Sequence, residues 1–197
     1  MRDNPGNTPA KEALMKLLEG NLRFASGQSK HALRHAHQRE QTLNEQSPMV
    51  AILSCSDSHV PPEVIFDQSI GDIYTIRTAG HVVDNVVIGS IEFAVELLGI
   101  QLVLVLGHQN CEAVTATVEV GDTTGHITDL IDKISRVMDD VFRMEGDIIA
   151  NAIDIHIKMT VNTLRTSQPI LDKLYQKGSV KIGGARYDMD SGKVVLV

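Results

Sequence analysis

Apolar residues first recur at helical spacing over residues 10–24, where Ala13, Leu14, Leu17, Leu18 and Leu22 share one face and predict an amphipathic N-terminal helical arm. Residues 1–9, rich in Asn, Pro and Gly, read as a flexible N-terminus. Residues 30–46 are polar, with His31, His35 and His37 close together, but no carboxylate or thiol stands in register with them. That stretch reads as a solvated helix or loop rather than a metal cluster. The pattern then changes. Met49-Val50-Ala51-Ile52-Leu53 and Leu102-Val103-Leu104-Val105-Leu106 are short continuous apolar runs with β-branched residues, as expected of parallel strands buried on both faces. A third strand is predicted over residues 73–77. Between it and the second run, residues 86–98 carry Val87, Ile91, Ala94, Val95 and Leu98 on one helical face, with Gly99 where a helix would stop. Residues 127–164 are helical in period with a break near Gly146, and Pro169 is placed to open a short helix ending at Gly178. Residues 179–187 and 193–197 read as strands joined by the turn Asp190-Ser191-Gly192. The order predicts an α/β fold: a mainly parallel central sheet flanked by helices, with an N-terminal helical arm and a C-terminal strand pair, residues 10–197 forming a single domain.

Composition narrows the function classes. With 197 residues, 43% of them hydrophobic, the chain has enough apolar surface for a core without disulfides. The net charge is -7 and the Lys and Arg residues are scattered rather than striped, so no nucleic-acid partner is expected. No apolar stretch reaches the ~18 residues that would span a bilayer, and residues 1–7 lack an apolar export core, so no membrane association and a cytoplasmic location are expected.

The two cysteines carry the chemistry. In a chain without an export signal they read as thiols or metal ligands rather than a structural disulfide. The first apolar run ends at Ser54-Cys55-Ser56-Asp57-Ser58-His59, and the other at Gly107-His108-Gln109-Asn110-Cys111. Ligands collect at the carboxyl ends of parallel strands, so both groups are delivered to one edge of the sheet. Two thiolates and an imidazole suit Zn²⁺, and three protein ligands leave a fourth tetrahedral position open. His-x-x-Cys alone is a weak signal; both cysteines following buried strands make it a stronger one.

At these motifs the chain resembles the β-class carbonic anhydrases, most closely the bacterial branch. Gly20-Asn21-Leu22-Arg23-Phe24 is similar to that branch's N-terminal Gly-Asn-x-Arg-Phe signature, and Cys55-Ser56-Asp57-Ser58 to the first half of its Cys-x-Asp-x-Arg motif. Val60-Pro61-Pro62-Glu63, Phe66-Asp67-Gln68 and Gly71-Asp72 follow in family order. Arg77, Ala79 and Gly80 fall in its Arg-x-Ala-Gly-Asn segment, and residues 89–95 in its Ser-Ile-Glu-Tyr-Ala-Val helix. His108 and Cys111 fall in its His-x-x-Cys-Gly motif, and Gly184-Ala185-Arg186-Tyr187-Asp188 with Gly192 resembles its last hairpin. The resemblance implies zinc held by Cys55, His108 and Cys111, and a zinc-bound hydroxide attacking CO2 to give bicarbonate. It also implies a homodimer or dimer of dimers. Asp57 would accept the hydroxide's proton in a hydrogen bond or, alternatively, swing in as a fourth ligand. The related hydrolysis of carbonyl sulfide or carbon disulfide, and a metal-binding role without catalysis, are the competing functions. Some relatives bind bicarbonate at a regulatory site containing a Trp, and this chain has none.

Three departures surround the metal motifs: His59 stands where the family has Arg, His81 where it has Asn, and Glu112 where it has Gly. A guanidinium is permanently charged and holds a carboxylate at both oxygens, which keeps Asp57 off the metal. An imidazole does so only when protonated. Reduced activity is therefore expected, with Asp57 binding zinc more readily. Glu112 either points inward and adds negative charge to the site or points to solvent at a helix N-terminus, where a carboxylate is favoured. His59, His81 and Glu112 as a second metal site or proton relay is the remaining alternative to ordinary hydrogen-bonded residues.

Overall fold

The computed structural model describes residues 8–30, 40, 42–43, 46–119 and 123–197. The expectations for His31, His35 and His37, and for residues 1–7, lie outside these described residues.

Two wholly buried strands form the centre of the fold. β1 (Val50–Cys55) and β3 (Leu102–His108) are buried at every position, which is why both read as unbroken apolar runs. β2 (Ile73–Thr78) and β4 (Lys181–Tyr187) pair in parallel outside them, and β5 (Val194–Leu196) pairs antiparallel with β4. The strand order is β2-β1-β3-β4-β5. This is the α/β architecture expected from the sequence. In the register Ser54 pairs with Leu106, so Cys55 and His108 emerge from adjacent strand ends at the same edge.

Among the described residues the α-helices include α1 (Ala10–Ala25), α2 (Pro62–Ile65), α3 (Asn85–Glu96), α4 (Glu112–Glu119), α5 (His126–Ser135), α6 (Met138–Val141), α7 (Ile148–Arg165) and α8 (Leu171–Gln176). Asp84 caps α3 by accepting from the N–H groups of Val86 and Val87, and Asp147 caps α7 by accepting from Ala150. The expected break near Gly146 is present, where φ is 100°. A second break at residues 136–137, with no Gly or Pro to announce it, separates α5 from α6. The helix expected to open at Pro169 starts two residues later, at Leu171. No helix among the described residues is long and apolar enough to cross a membrane.

α7 lies flush on the sheet because β3 and β4 present glycines beneath it. A Cβ on Gly107 or on Gly184 would come within 2.5 Å of the Ile157 side chain. This close approach brings the neighbouring His156 down to the level of the β3 end, next to the candidate site.

α1 is fastened by Asn21, whose side chain is buried. Its Nδ2 donates to the carbonyls of Ile65 at 3.2 Å and Gly192 at 2.9 Å, and its Oδ1 accepts from the Val194 N–H at 2.8 Å. One amide thus joins α1 to α2 and to the C-terminal hairpin. Arg23 adds an ion pair to the buried Asp67, with Nε 2.6 Å from Oδ2. Replacing Asn21 by leucine leaves three backbone groups unpaired in the core. It is expected to cost about 3 kcal/mol and to lower the thermal midpoint by roughly 6–12 °C, readable by calorimetry. A midpoint within about 2 °C of the wild type would show that the amide does not fasten α1.

Candidate metal centre

Cys55 ends β1, His108 ends β3, and Cys111 precedes the first residue of α4. Their donor atoms all lie within 4.8 Å of one another, and the three side chains are buried. Among the described residues no other group of three or more His, Cys, Asp or Glu converges in this way. The two sulfurs stand 3.8 Å apart. Tetrahedral geometry at a Zn–S distance of about 2.3 Å sets two sulfurs about 3.8 Å apart, so the pair matches one edge of a zinc tetrahedron. The third donor is aimed as well. His108 Nδ1 donates to the Gln109 carbonyl at 2.9 Å, which puts the free lone pair on Nε2, and Nε2 is buried with no hydrogen-bond partner. A buried polar atom without a partner is costly, and a metal between it and the two sulfurs removes that cost. The donor set therefore fits a soft or borderline divalent cation such as Zn²⁺.

The thiols are electrostatically unequal. The contact with Cys111 pulls the Cys55 thiol down to about 4 despite burial, with His108 and the N–H groups of Asp57 and Gly80 acting in the same direction. The same contact pushes Cys111 up, as do burial and the Cys55 charge, against the N–H groups of Val114 and Ala113 at the start of α4. A metal held by both sulfurs would need them as thiolates, so its binding would release protons.

Asp57 stands beside this group, not in it. Its Oδ2 is 4.0 Å from His108 Nε2, while its Oδ1 is 2.5 Å from His59 Nδ1 and accepts from the His59 N–H at 3.3 Å. Burial pushes the Asp57 carboxyl up, but the hydrogen bonds from His59 and the charges of His108 and His59 outweigh it and hold it below the usual carboxylate value. His59 is 59% exposed, so it reaches from Asp57 to solvent. Glu112 is exposed on the first turn of α4, the solvent-facing arrangement rather than the inward one. His81 is fully buried, far from forming a group with His59 and Glu112, and its ring lies 4.5 Å from that of His156. It adopts a left-handed backbone, φ 45°, which asparagine tolerates better than histidine.

Two contributors escape a reading of the motifs alone. Arg77, on β2 beside the β1 end, donates from Nε to the Cys55 carbonyl at 2.8 Å and from a terminal nitrogen to the Asp57 carbonyl at 2.5 Å, clamping the loop that carries both residues. His156, on α7, donates to the Gly80 carbonyl at 2.9 Å. Arg77's place in the Arg-x-Ala-Gly-Asn segment was the available signal for the first, and a histidine on a largely apolar helical stripe for the second.

Residues 50–194 match the family model described as carbonic anhydrase. The chain is 36% identical to carbonic anhydrase 2 of Mycobacterium tuberculosis, over 96% of this chain and 94% of that protein. The chain belongs to the β-carbonic anhydrase family. It is also 34% identical to a carbonic anhydrase of Mycolicibacterium smegmatis, covering 98% of this chain and 95% of the relative. Among solved structures, the Coccomyxa β-carbonic anhydrase in complex with acetazolamide superposes with a TM-score of 0.70 at 25% identity, over 93% of this chain and 86% of that one. Within a carbonic anhydrase frame, His59, His81 and Glu112 occupy three separate environments, so the departures noted in the sequence form no joint second site.

Proposed function

We propose that this β-carbonic anhydrase holds one Zn²⁺ on Cys55, His108 and Cys111 and reversibly hydrates CO2 to bicarbonate. The observation that carries the reading is the pair of sulfurs 3.8 Å apart facing the partnerless Nε2 of His108. When bound, zinc supplies a Lewis acid that brings the pKa of a water close to neutral, so that a nucleophile exists at cellular pH. The remaining work belongs to the chain. Asp57 Oδ2, on the His108 side, would accept the nucleophile's O–H in a hydrogen bond and so aim its lone pair at the carbon. Asp57 Oδ1, gripped by His59, fixes that orientation. Apolar residues exposed on α3 and at its C-cap, Val86 at 76% and Leu97 at 68%, support assembly as a homodimer or a dimer of dimers.

Stopped-flow CO2 hydration with metal content measured on the same sample tests this. One zinc per chain and turnover that requires it and rises with pH are expected. Stoichiometric zinc without turnover would instead favour a metal-binding relative with a structural or regulatory role.

The activity is expected to be lower than an arginine at position 59 would allow. His59 holds a single carboxylate oxygen with its ring, leaving Oδ2 able to turn onto the metal and close the open position. His59→Arg, which grips both oxygens, is expected to raise hydration by about tenfold, the value of one charge-assisted hydrogen bond. An unchanged rate in that variant would show that the grip on Asp57 does not limit turnover.

A further inference from the structure

The Cys55 sulfur accepts two backbone N–H groups, from Asp57 at 3.4 Å and from Gly80 at 3.2 Å. The first is local, since Asp57 lies two residues on. The second comes from a separate segment, the tight turn Ala79–His81 that follows β2. Gly80 sits there in the left-handed region, φ 59° and ψ 24°, and is packed so closely that a Cβ would come within 2.9 Å of Ile134 and 3.1 Å of Ala113. Its N–H meets the sulfur, and its carbonyl points the opposite way into α7, where the His156 Nε2–H donates to it at 2.9 Å. A continuous relay therefore runs from the core of α7, through the two polar groups of one glycine, to a candidate metal thiolate.

His156 is an expensive way to fill its position. It is 1% exposed, its Nδ1 has no hydrogen-bond partner, and it occupies the apolar stripe of α7 between Ile153 and Ile157. A leucine would bury the same volume without the unpaired nitrogen. What leucine cannot do is hold the Gly80 carbonyl. A glycine is the residue least able to hold its own ψ, and this one is the source of the N–H that reaches the sulfur.

We propose that His156 is a positioning residue of the metal centre, acting on Cys55 through Gly80. The inference rests on the reading that Cys55 ligates the metal. An N–H···S bond draws charge from a thiolate and fixes its direction, so losing it alters both the donor strength and the placement of the sulfur. Neither effect requires His156 to touch metal or substrate.

The test uses the full chain loaded with Co²⁺, reading the thiolate-to-cobalt charge-transfer absorption and the Co²⁺ affinity by chelator competition. Urea unfolding of the metal-free protein is measured alongside. His156→Leu removes the donor, and His156→Gln keeps an N–H at similar reach. Leucine is expected to shift the charge-transfer band and to weaken Co²⁺ binding roughly 10- to 100-fold, with glutamine restoring affinity to within about threefold of wild type. A merely structural histidine would change the urea midpoint and leave the band in place. The proposal is overturned if the folded leucine variant keeps the wild-type band and affinity, or if glutamine and leucine lose affinity equally. Should leucine fail to fold, His156→Phe, which keeps ring volume against His81, takes its place in the same comparison. A wild-type chain that takes up no Co²⁺ would overturn the metal reading itself, an outcome distinct from bound cobalt that is indifferent to residue 156.

Discussion

Replacing Cys111 by alanine is expected to give a folded chain that retains no zinc through purification and hydrates CO2 at less than about one hundredth of the wild-type rate. The bound on the rate follows from where the residue stands. Removing an outer hydrogen-bond partner of a metal ligand costs about 10- to 100-fold, and removing one of the three proposed ligands is expected to exceed that. Two donors from Cys55 and His108 then remain, too few to hold zinc against solvent. The fold is expected to survive because Cys111 closes no disulfide and alanine deletes a single buried sulfur. The cavity costs about 1–2 kcal/mol, small beside the ~5–15 kcal/mol that stabilises a typical domain. Metal analysis by mass spectrometry, stopped-flow hydration and urea unfolding on one preparation separate the contributions. A Cys111→Ala protein that holds one equivalent of zinc and keeps a tenth of the rate would remove Cys111 from the ligand set.

β1 and β3 are buried on both faces, so their residues must be continuously apolar, and the chemistry at their ends is marked by the first polar residues that follow. Cys55, His108 and Cys111 were therefore visible as a set, since strand ends of a parallel sheet share an edge. α7 was visible as a helix but not as a contributor to the site. Its buried residues include Ala152, Ile153, Ile157, Val161 and Leu164, and His156 and Thr160 lie on the same stripe. A polar residue on a buried stripe announces that a partner exists without saying where. The partner here is the Gly80 carbonyl, 76 positions away, and only the close approach over Gly107 and Gly184 brings it into reach. The role of Arg77, though not its place in a motif, is hidden for a related reason, because it acts on backbone carbonyls, which leave no trace in residue identity. The division of α5 from α6 was not legible either. It depends on packing around the buried Val137 and Met138 rather than on a helix-breaking residue.

The buried pair His81 and His156 predicts a stability that falls steeply on acidification. Burial pushes His81 well below the ordinary histidine value, and the neighbouring charges of His156 and His108 push in the same direction. Burial also lowers His156, only partly offset by its hydrogen bond to the Gly80 carbonyl and by the Cys55 charge. In the unfolded chain both rings take up a proton near pH ~6.5. Above that value neither state binds a proton at these rings, and they make no contribution to the pH dependence. Below it the unfolded chain binds protons that the folded chain refuses, so stability declines with falling pH until the folded-state values are reached. Each ring contributes a slope of up to about 1.4 kcal/mol per pH unit within that window. Urea unfolding of the metal-free, reduced protein between about pH 5 and 6.5 reads this slope without contribution from metal release. His81→Asn removes the more strongly depressed ring and suits the left-handed backbone at φ 45°, so it is expected to lower the slope by up to about 1.4 kcal/mol per pH unit. If the variant loses stability with pH as steeply as the wild type, His81 is not excluded from protonation in the folded chain. The two rings, 4.5 Å apart, would then have to carry at least one charge within the core.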